Sequence, residues 1–226
     1  MVNKNFIVAI DGPVGSGKGT LSIELAKELD ALYLYTGGMY RALALACLRN
    51  EVNLREEKQV LQVLMNTDIK LEMSTDGAGV FLGTEDVTGE ISRPEVGNAT
   101  PIIAAIPVVR REMVARQKEM IEGKRAIVEG RDIATDVAPN ADLKVYLTAD
   151  VNTRAKRRFE QFKEKGIEKT LEEVLRDTKE RDRQDMERNA SPLTIVEDAF
   201  VIDTTNDTVS DTIDKVKNKL RDKGLL

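Results

Sequence analysis

The sequence predicts an α/β fold: a five-stranded parallel sheet flanked by helices and interrupted by a small antiparallel β insert. Three observations predict it. Five short runs are apolar on both faces, as central parallel strands covered on both sides must be. Helical patterns lie between those runs, the alternation that builds a parallel sheet. One stretch, about 67–97, breaks the rhythm with a hairpin-like pattern.

In chain order, the apolar run Phe6–Ile10 reads as the first strand, followed by a helical pattern at about Lys18–Leu29. Leu32–Leu34 is the second strand and leads into a helix at about Gly38–Arg49. Ile69–Met73, a turn around Asp76-Gly77 and Val80–Leu82 read as a hairpin, with a third short strand at Val87. The parallel rhythm resumes with a helix at Pro107–Glu122 and strands at Ala126–Val128 and Leu143–Leu147. Helices at Val151–Lys165 and Leu171–Arg188, a strand at Ala199–Ile202 and a helix at Thr208–Lys223 complete it.

The chain has 226 residues, 41% of them hydrophobic, an ordinary globular composition with enough length for a sizeable core. With 34 basic and 39 acidic residues the net charge is −5, which argues against bulk nucleic-acid binding. An acidic protein can still gather arginines in one cleft, so an anionic substrate remains open. Cys47, the one cysteine, lies in the apolar run Ala42–Leu48, reads as a buried thiol and has no partner for an intrachain disulfide. The first residues, Met-Val-Asn-Lys-Asn, lack the apolar region and cleavage site of a signal peptide. No apolar stretch approaches the ~18 residues of a membrane span. A soluble, cytoplasmic protein without membrane association is expected. The chain has no histidine, so any catalysis must use Lys, Arg, Asp, Glu, backbone amides or a metal ion.

The strongest motif is Gly12, Pro13, Val14, Gly15, Ser16, Gly17, Lys18, Gly19 and Thr20, placed between a strand and a helix. Its glycines let successive N–H groups turn inward, and with the helix N-terminus they cradle phosphate oxygens. Lys18 adds a full charge at the β/γ-phosphates. Gly19 stands where a metal-binding hydroxyl usually follows the lysine, and Thr20 is better placed for a phosphate. No metal ligand is assigned; Mg²⁺ is expected to be held mainly by phosphates and waters. Asp11 either orders those waters or stabilises the turn. The loop by itself specifies a nucleoside triphosphate and does not choose among kinase, GTPase, transporter or helicase. The run Ala126–Val128 ends in Glu129-Gly130-Arg131-Asp132, pointing to substrate binding rather than water activation, and no Asn-Lys-x-Asp guanine motif is present.

The loop occurs together with Thr36-Gly37-Gly38-Met39-Tyr40-Arg41, Ala104-Ala105-Ile106-Pro107-Val108-Val109-Arg110, Glu129-Gly130-Arg131-Asp132, Arg181-Asp182, and Arg188-Asn189-Ala190-Ser191-Pro192-Leu193. This series, in order over nearly the whole chain, resembles the bacterial cytidylate kinases of the nucleoside monophosphate kinase family. The resemblance implies an adenylate-kinase-like core (1–66 and 98–226), a nucleoside-monophosphate-binding insert (67–97) and a helical lid at about 151–168. It implies phosphoryl transfer from ATP to CMP or dCMP with Mg²⁺, by a monomer. Arg41, Arg131 and Arg188 would hold the acceptor phosphate with Thr36, Arg110 and Asp132 would read the cytosine, and Arg181 and Asp185 the sugar. Arg154, Arg157 and Arg158 would be lid arginines, with Arg154 and Arg158 reaching ATP. Lys18, Arg131, Arg158 and Arg188 would carry the transfer. Three positions depart from the family: Tyr35 and Glu129 stand where aspartate is usual, and Pro101 where a base-contacting serine is often found.

The chemistry makes sense independently. Bringing two polyphosphate anions together needs cations, and arginine grips phosphate bidentately. Arg154, Arg157 and Arg158 share one helical face, as do Arg181, Asp185 and Arg188. By themselves the first set also reads as a solvated charged helix with Glu160 and Glu164, and the second, without the other motifs, as an ordinary surface salt-bridge ladder. Thr36 serves as a helix N-cap, a phosphate contact or both. Kinases for UMP or AMP, and a non-catalytic ATP-binding regulatory module, remain alternatives.

Overall fold

The computed structural model describes residues 5–74 and 77–226, with the backbone alone at 73, 74 and 77. Its strands are β1 (Ile7–Asp11), β2 (Leu32–Tyr35), β3 (Ile69–Ser74), β4 (Gly77–Leu82), β5 (Glu85–Asp86), β6 (Ala126–Glu129), β7 (Leu143–Thr148) and β8 (Phe200–Asp203). Five form a parallel sheet in the order β2-β6-β1-β7-β8; β3, β4 and β5 form a separate antiparallel sheet. The helices are α1 (Lys18–Glu28), α2 (Thr36–Arg49), α3 (Glu57–Met65), α4 (Pro94–Ala104), α5 (Pro107–Ile121), α6 (Val151–Glu164), α7 (Leu171–Glu187) and α8 (Val209–Asp222).

The apolar runs of the inner strands are covered on both faces of the sheet; the last, Ala199–Ile202, is not, because β8 is an edge strand and its Val201 is 47% exposed. Val8, Ile10 and Ile127 pack with Leu21 and Leu25 of α1 and with Val216 and Leu220 of α8. Ala9, Leu34 and Val128 point the other way, into a second core with Met39 and Leu43 of α2 and Val109 and Met113 of α5. Each such aliphatic side chain contributes about 1.5–3 kcal/mol on burial. Cys47 is buried in this second core, and burial pushes its thiol up to about 11.

Every predicted parallel strand is present, with ends shifted by at most one residue. The antiparallel unit is also present, but its third strand is Glu85–Asp86; Val87 follows it and donates its N–H to the Val80 carbonyl at 2.9 Å. The Asp76 part of the anticipated turn and the N-terminal segment through Lys4 lie outside the described residues. Helices α3 and α4 were not anticipated. Pro101 inside α4 and Gly97 near its start conceal it from a propensity reading, whereas Pro94 at its first turn is favourable. Helix α7 ends at Glu187, so Arg188 lies in extended backbone at its end rather than on the helix.

The parallel order puts the carboxyl ends of β1, β2 and β6 side by side. Ligands of open α/β sheets bind there. The loop after β1, the start of α2 after β2 and the Gly130–Asp132 turn after β6 converge at that edge.

Candidate active site

A cleft of about 700 Å³ opens at this edge, lined by the β1–α1 loop, α2, α4, α5, α6, α7 and the turn after β6. Val14, Gly15, Gly17, Lys18, Gly19 and Thr20 line it, while Gly12, Pro13 and Ser16 form the buried back of the loop. Gly12 has φ 149°, and a Cβ there would come within 2.1 Å of the Leu147 carbonyl oxygen, so only glycine lets β1 turn against β7. Gly17 caps α1 without a side-chain hydrogen bond, leaving the first-turn amides available to an anion. Lys18 is buried with Nζ 2.8 Å from the Pro13 carbonyl oxygen. Burial, reinforced by Arg131, pushes its ammonium well below the usual lysine range.

The carboxylates around the loop divide into two kinds. Asp11 accepts from the amides of Ile133 (3.0 Å) and Ala134 (2.8 Å), so it fixes the π-helical turn Ile133–Val137. Burial raises it to about 6 even so. Of the two roles open to Asp11, both its oxygens serve the turn. Glu129 accepts from the Tyr33 hydroxyl at 2.8 Å through Oε1, while its buried Oε2 has no hydrogen-bond partner. A Cβ on Gly19 would lie 3.7 Å from that oxygen, which places it beside the phosphate loop. Burial pushes the Glu129 carboxyl up, against the pull of Lys18.

The acceptor-side residues gather opposite. Thr36 donates its hydroxyl to the Glu129 carbonyl at 2.7 Å; it opens α2 but does not cap it, because Tyr35 occupies the cap position. Arg41 donates to the Ile91 carbonyl at 2.7 Å. Arg131 donates to Asp185 at 2.8 Å, and Arg181 lies 3.4 Å from the other Asp185 oxygen. Burial alone would raise Asp185, but Arg131 and Arg181 outweigh it and hold the carboxyl below its usual range. Arg110 donates to Asp132 and, at 2.9 Å, to the Ala104 carbonyl, and its guanidinium lies 5.5 Å from the Tyr40 ring centroid. Arg188 approaches the second Asp132 oxygen at 3.7 Å and donates to the Ser191 carbonyl at 2.7 Å. Asp132 therefore faces two guanidiniums.

The expected lid face separates on inspection. Arg158 lines the cleft, with its Nε unpartnered and its guanidinium over Phe162 at 5.4 Å. Arg154 is buried behind the loop, donating to Val14 O at 3.1 Å, Ala149 O at 2.9 Å and Asp182 at 2.6 Å, and it does not line the cleft. It supports the loop from behind instead of facing a nucleotide directly. Arg157 donates to Thr204 at 3.0 and 2.6 Å, tying α6 to the end of β8. One helical face thus serves three destinations, because the long side chains diverge.

Cationic side chains outnumber carboxylates along the cleft. Arg158 is pushed down to about 10, first by burial and then by Arg181, Arg41 and Arg131. Among the described residues, neither Arg41 nor Arg158 makes an ion pair with a carboxylate. Burial and neighbouring guanidiniums lower Arg158 and Arg181, and an anion bound among them would offset that repulsion.

A family profile described as cytidylate kinase matches residues 8–222. The chain belongs to the cytidylate kinase family. The cytidylate kinase of Caldanaerobacter subterraneus subsp. tengcongensis is 43% identical over 98% of this chain and 97% of its own length. That of Bacillus subtilis is 39% identical over 98% and 99%. The fold is also similar to an uncharacterized protein from Eubacterium ventriosum, with a TM-score of 0.53 at 16% identity over 97% of this chain and 99% of that one. The family is the one the motif series resembles.

Within a cytidylate kinase fold, some cleft residues carried no separate assignment from sequence. Tyr40 lies under Arg110, and its hydroxyl is buried without a partner. Its place four residues after Thr36, one helical turn on, was the available signal. The Ile91 carbonyl that holds Arg41 comes from the short turn after β5, which nothing in the spacing singles out. No helix among the described residues is long and apolar enough to cross a membrane.

Proposed function

We propose that this chain transfers the γ-phosphoryl group of ATP to CMP and dCMP, giving CDP and dCDP. The observation that carries it is the cluster of Arg41, Arg131, Arg158 and Arg181 facing the Lys18 loop across one cleft, with positive charge in excess. A nucleotide switch needs one polyphosphate site; a further group of arginines, suited to an acceptor's single phosphate, supports transfer instead. ATP phosphates lie on the loop amides and Lys18. The CMP phosphate lies among Arg41, Arg131 and Arg188, near Thr36. An acceptor phosphate oxygen attacks the γ-phosphorus, and the bond to the β,γ-bridging oxygen breaks with ADP leaving. Lys18, Arg131, Arg158 and Arg188 stabilise the charge during transfer.

Mg²⁺ bound with the nucleotide would supply positive charge against its phosphates. The chain suits such an ion through Glu129, whose unpartnered Oε2 lies beside Gly19 and would take a hydrated ion's water, and through Thr20 on the cleft wall. Arg110 and Asp132 face the cytosine, whose amine suits a carboxylate and whose N3 and O2 suit a guanidinium. Their mutual pairing also makes Asp132 the group that fixes Arg110. Arg181 and Asp185 face the sugar. The 67–97 unit serves as the acceptor-binding insert, 1–66 and 98–226 as the core, and 151–168 as the lid. Family membership supports a cytoplasmic setting; action as a monomer is part of the same proposal.

A panel of CMP, dCMP, UMP and AMP with Mg-ATP, read as ADP release, tests the reading, with Lys18→Met as the blank. CMP and dCMP should be the preferred acceptors, and Lys18→Met should lower turnover about a hundredfold or more. Preference for UMP or AMP, or ATP binding without CMP-stimulated ADP release, would overturn it.

A further inference from the structure

The acceptor cluster contains a side chain that the proposed mechanism does not use. Tyr35 ends β2 and lines the cleft half-buried, together with Arg41, Glu129, Arg131 and Arg181, whose charges act on its phenol. Among the described residues no protein group hydrogen-bonds its hydroxyl. The neighbouring sequence is shaped to its ring. A Cβ on Gly38 would lie 2.5 Å from Tyr35 Cδ1 and 2.8 Å from Cε1, and one on Gly37 would lie 3.1 Å from Cε2. Real Cβ atoms do not approach that closely at 2.5 Å, so Gly38 is the residue that lets the ring lie flat over the first turn of α2. Tyr33 stacks on it from behind, with centroids 6.4 Å apart and planes at 15°. The ring is therefore held from two sides in the cleft that the guanidiniums also line.

We infer that the Tyr35 hydroxyl is a further substrate-positioning group, donating a hydrogen bond to the acceptor phosphate that the arginine cluster holds. This rests on the acceptor-phosphate assignment above. Arginines supply charge, but each can rotate and slide; a phenol on a stacked ring supplies a donor at a fixed point. Burial holds the phenol above its usual range despite Arg41, so it stays protonated and remains a donor across the neutral pH range. Thr36, the next residue, directs its own hydroxyl away to the Glu129 carbonyl, which leaves Tyr35 as the hydroxyl at this end of β2 not engaged by the protein.

Tyr35→Phe removes the hydroxyl and keeps the ring, its stacking and its fit over Gly37 and Gly38. The KM for CMP should rise on the order of tenfold, the size of one hydrogen bond to a charged group. The KM for ATP should stay within about twofold, and the thermal midpoint should not fall. Because the contact is to phosphate, CMP and dCMP should lose by the same factor, and so should a poor acceptor such as UMP. The chain has 4 tyrosines and no tryptophan, which gives a readout independent of turnover: CMP alone should perturb the tyrosine absorption of the parent protein, and Tyr35→Phe should diminish that change. An unchanged KM for CMP in Tyr35→Phe would make the ring mere packing and overturn the inference. So would a change in the CMP:UMP ratio, which would mean a contact to the base. If the parent protein itself does not phosphorylate CMP, the acceptor assignment fails, and the inference with it.

Discussion

Asp11 shows how a buried carboxylate is held at a cost. It is 2% exposed and accepts two backbone amides, yet loss of water dominates and raises it from 3.8 to about 6. The folded state then binds more protons than the unfolded chain between those values. Stability from this group is fully present below pH about 4 and is lost as pH rises through about 6. Measured against Asp11→Asn, which does not titrate, the parent protein should lose on the order of 2–3 kcal/mol of relative stability across that window. Urea unfolding of both proteins at a series of pH values checks this; a parent that gains relative stability on going from acid to neutral pH would show that the two amides outweigh burial.

Among the elements, α6 is the one whose expected behaviour the structure changes. A rigid helix swinging over the phosphates as a unit is incompatible with its first turns being fastened. Asp150 caps it, Arg154 joins Asp182 of α7 and Val14 of the phosphate loop, and Arg157 joins Thr204. If the proposed lid closes, the movement should come from the far end, Phe159 through Thr170, where the exposed link Lys165–Ser92 and the part-buried link Lys169–Asp177 are more easily exchanged and Gly166 at φ 67° offers a natural break. Hydrogen exchange should slow at about 159–172 when ATP and CMP analogues bind together, with little change at 151–157. Equal protection along the whole helix would mean that the fastened turns move too.

For the molecule as a whole, the net charge of −5 and a cation-rich cleft coexist because most of the acids lie outside it, while Lys and Arg outnumber the Asp and Glu that line it. Many lie in exposed pairs such as Lys27–Glu24 and Arg183–Glu180, which contribute little to stability. The cleft arginines are partly desolvated and only partly compensated. Substrate anions should thus feel an attraction that salt weakens: the KM for CMP should rise severalfold between about 0.05 and about 0.5 M KCl, while kcat changes little. Initial-rate measurements at saturating Mg-ATP test it. A salt-independent KM would mean that Asp132 and Asp185 already neutralise the site.

Local sequence was sufficient wherever a chemical constraint acts along the chain. Apolar runs with no polar face specify buried parallel strands, since unpaired polar groups are not tolerated there. Gly12, Gly17 and Lys18 specify a phosphate loop, since few other residues can turn the backbone that way and supply the charge. The ordered motifs then specified the family, whose series spans the chain. Tertiary structure alone decided which way each arginine points. Arg154, Arg157 and Arg158 are neighbours on one helix, but their long side chains end beside Asp182, Thr204 and the cleft. It also decided that Arg110 pairs with Asp132, that Glu129 keeps one oxygen unpartnered, and that Tyr35 lies over Gly38. Partners 20 to 100 residues apart are chosen by packing and by the competition for buried hydrogen bonds. The spacing of residues along a chain fixes the face from which a side chain starts, and the surrounding fold fixes the group at which it ends.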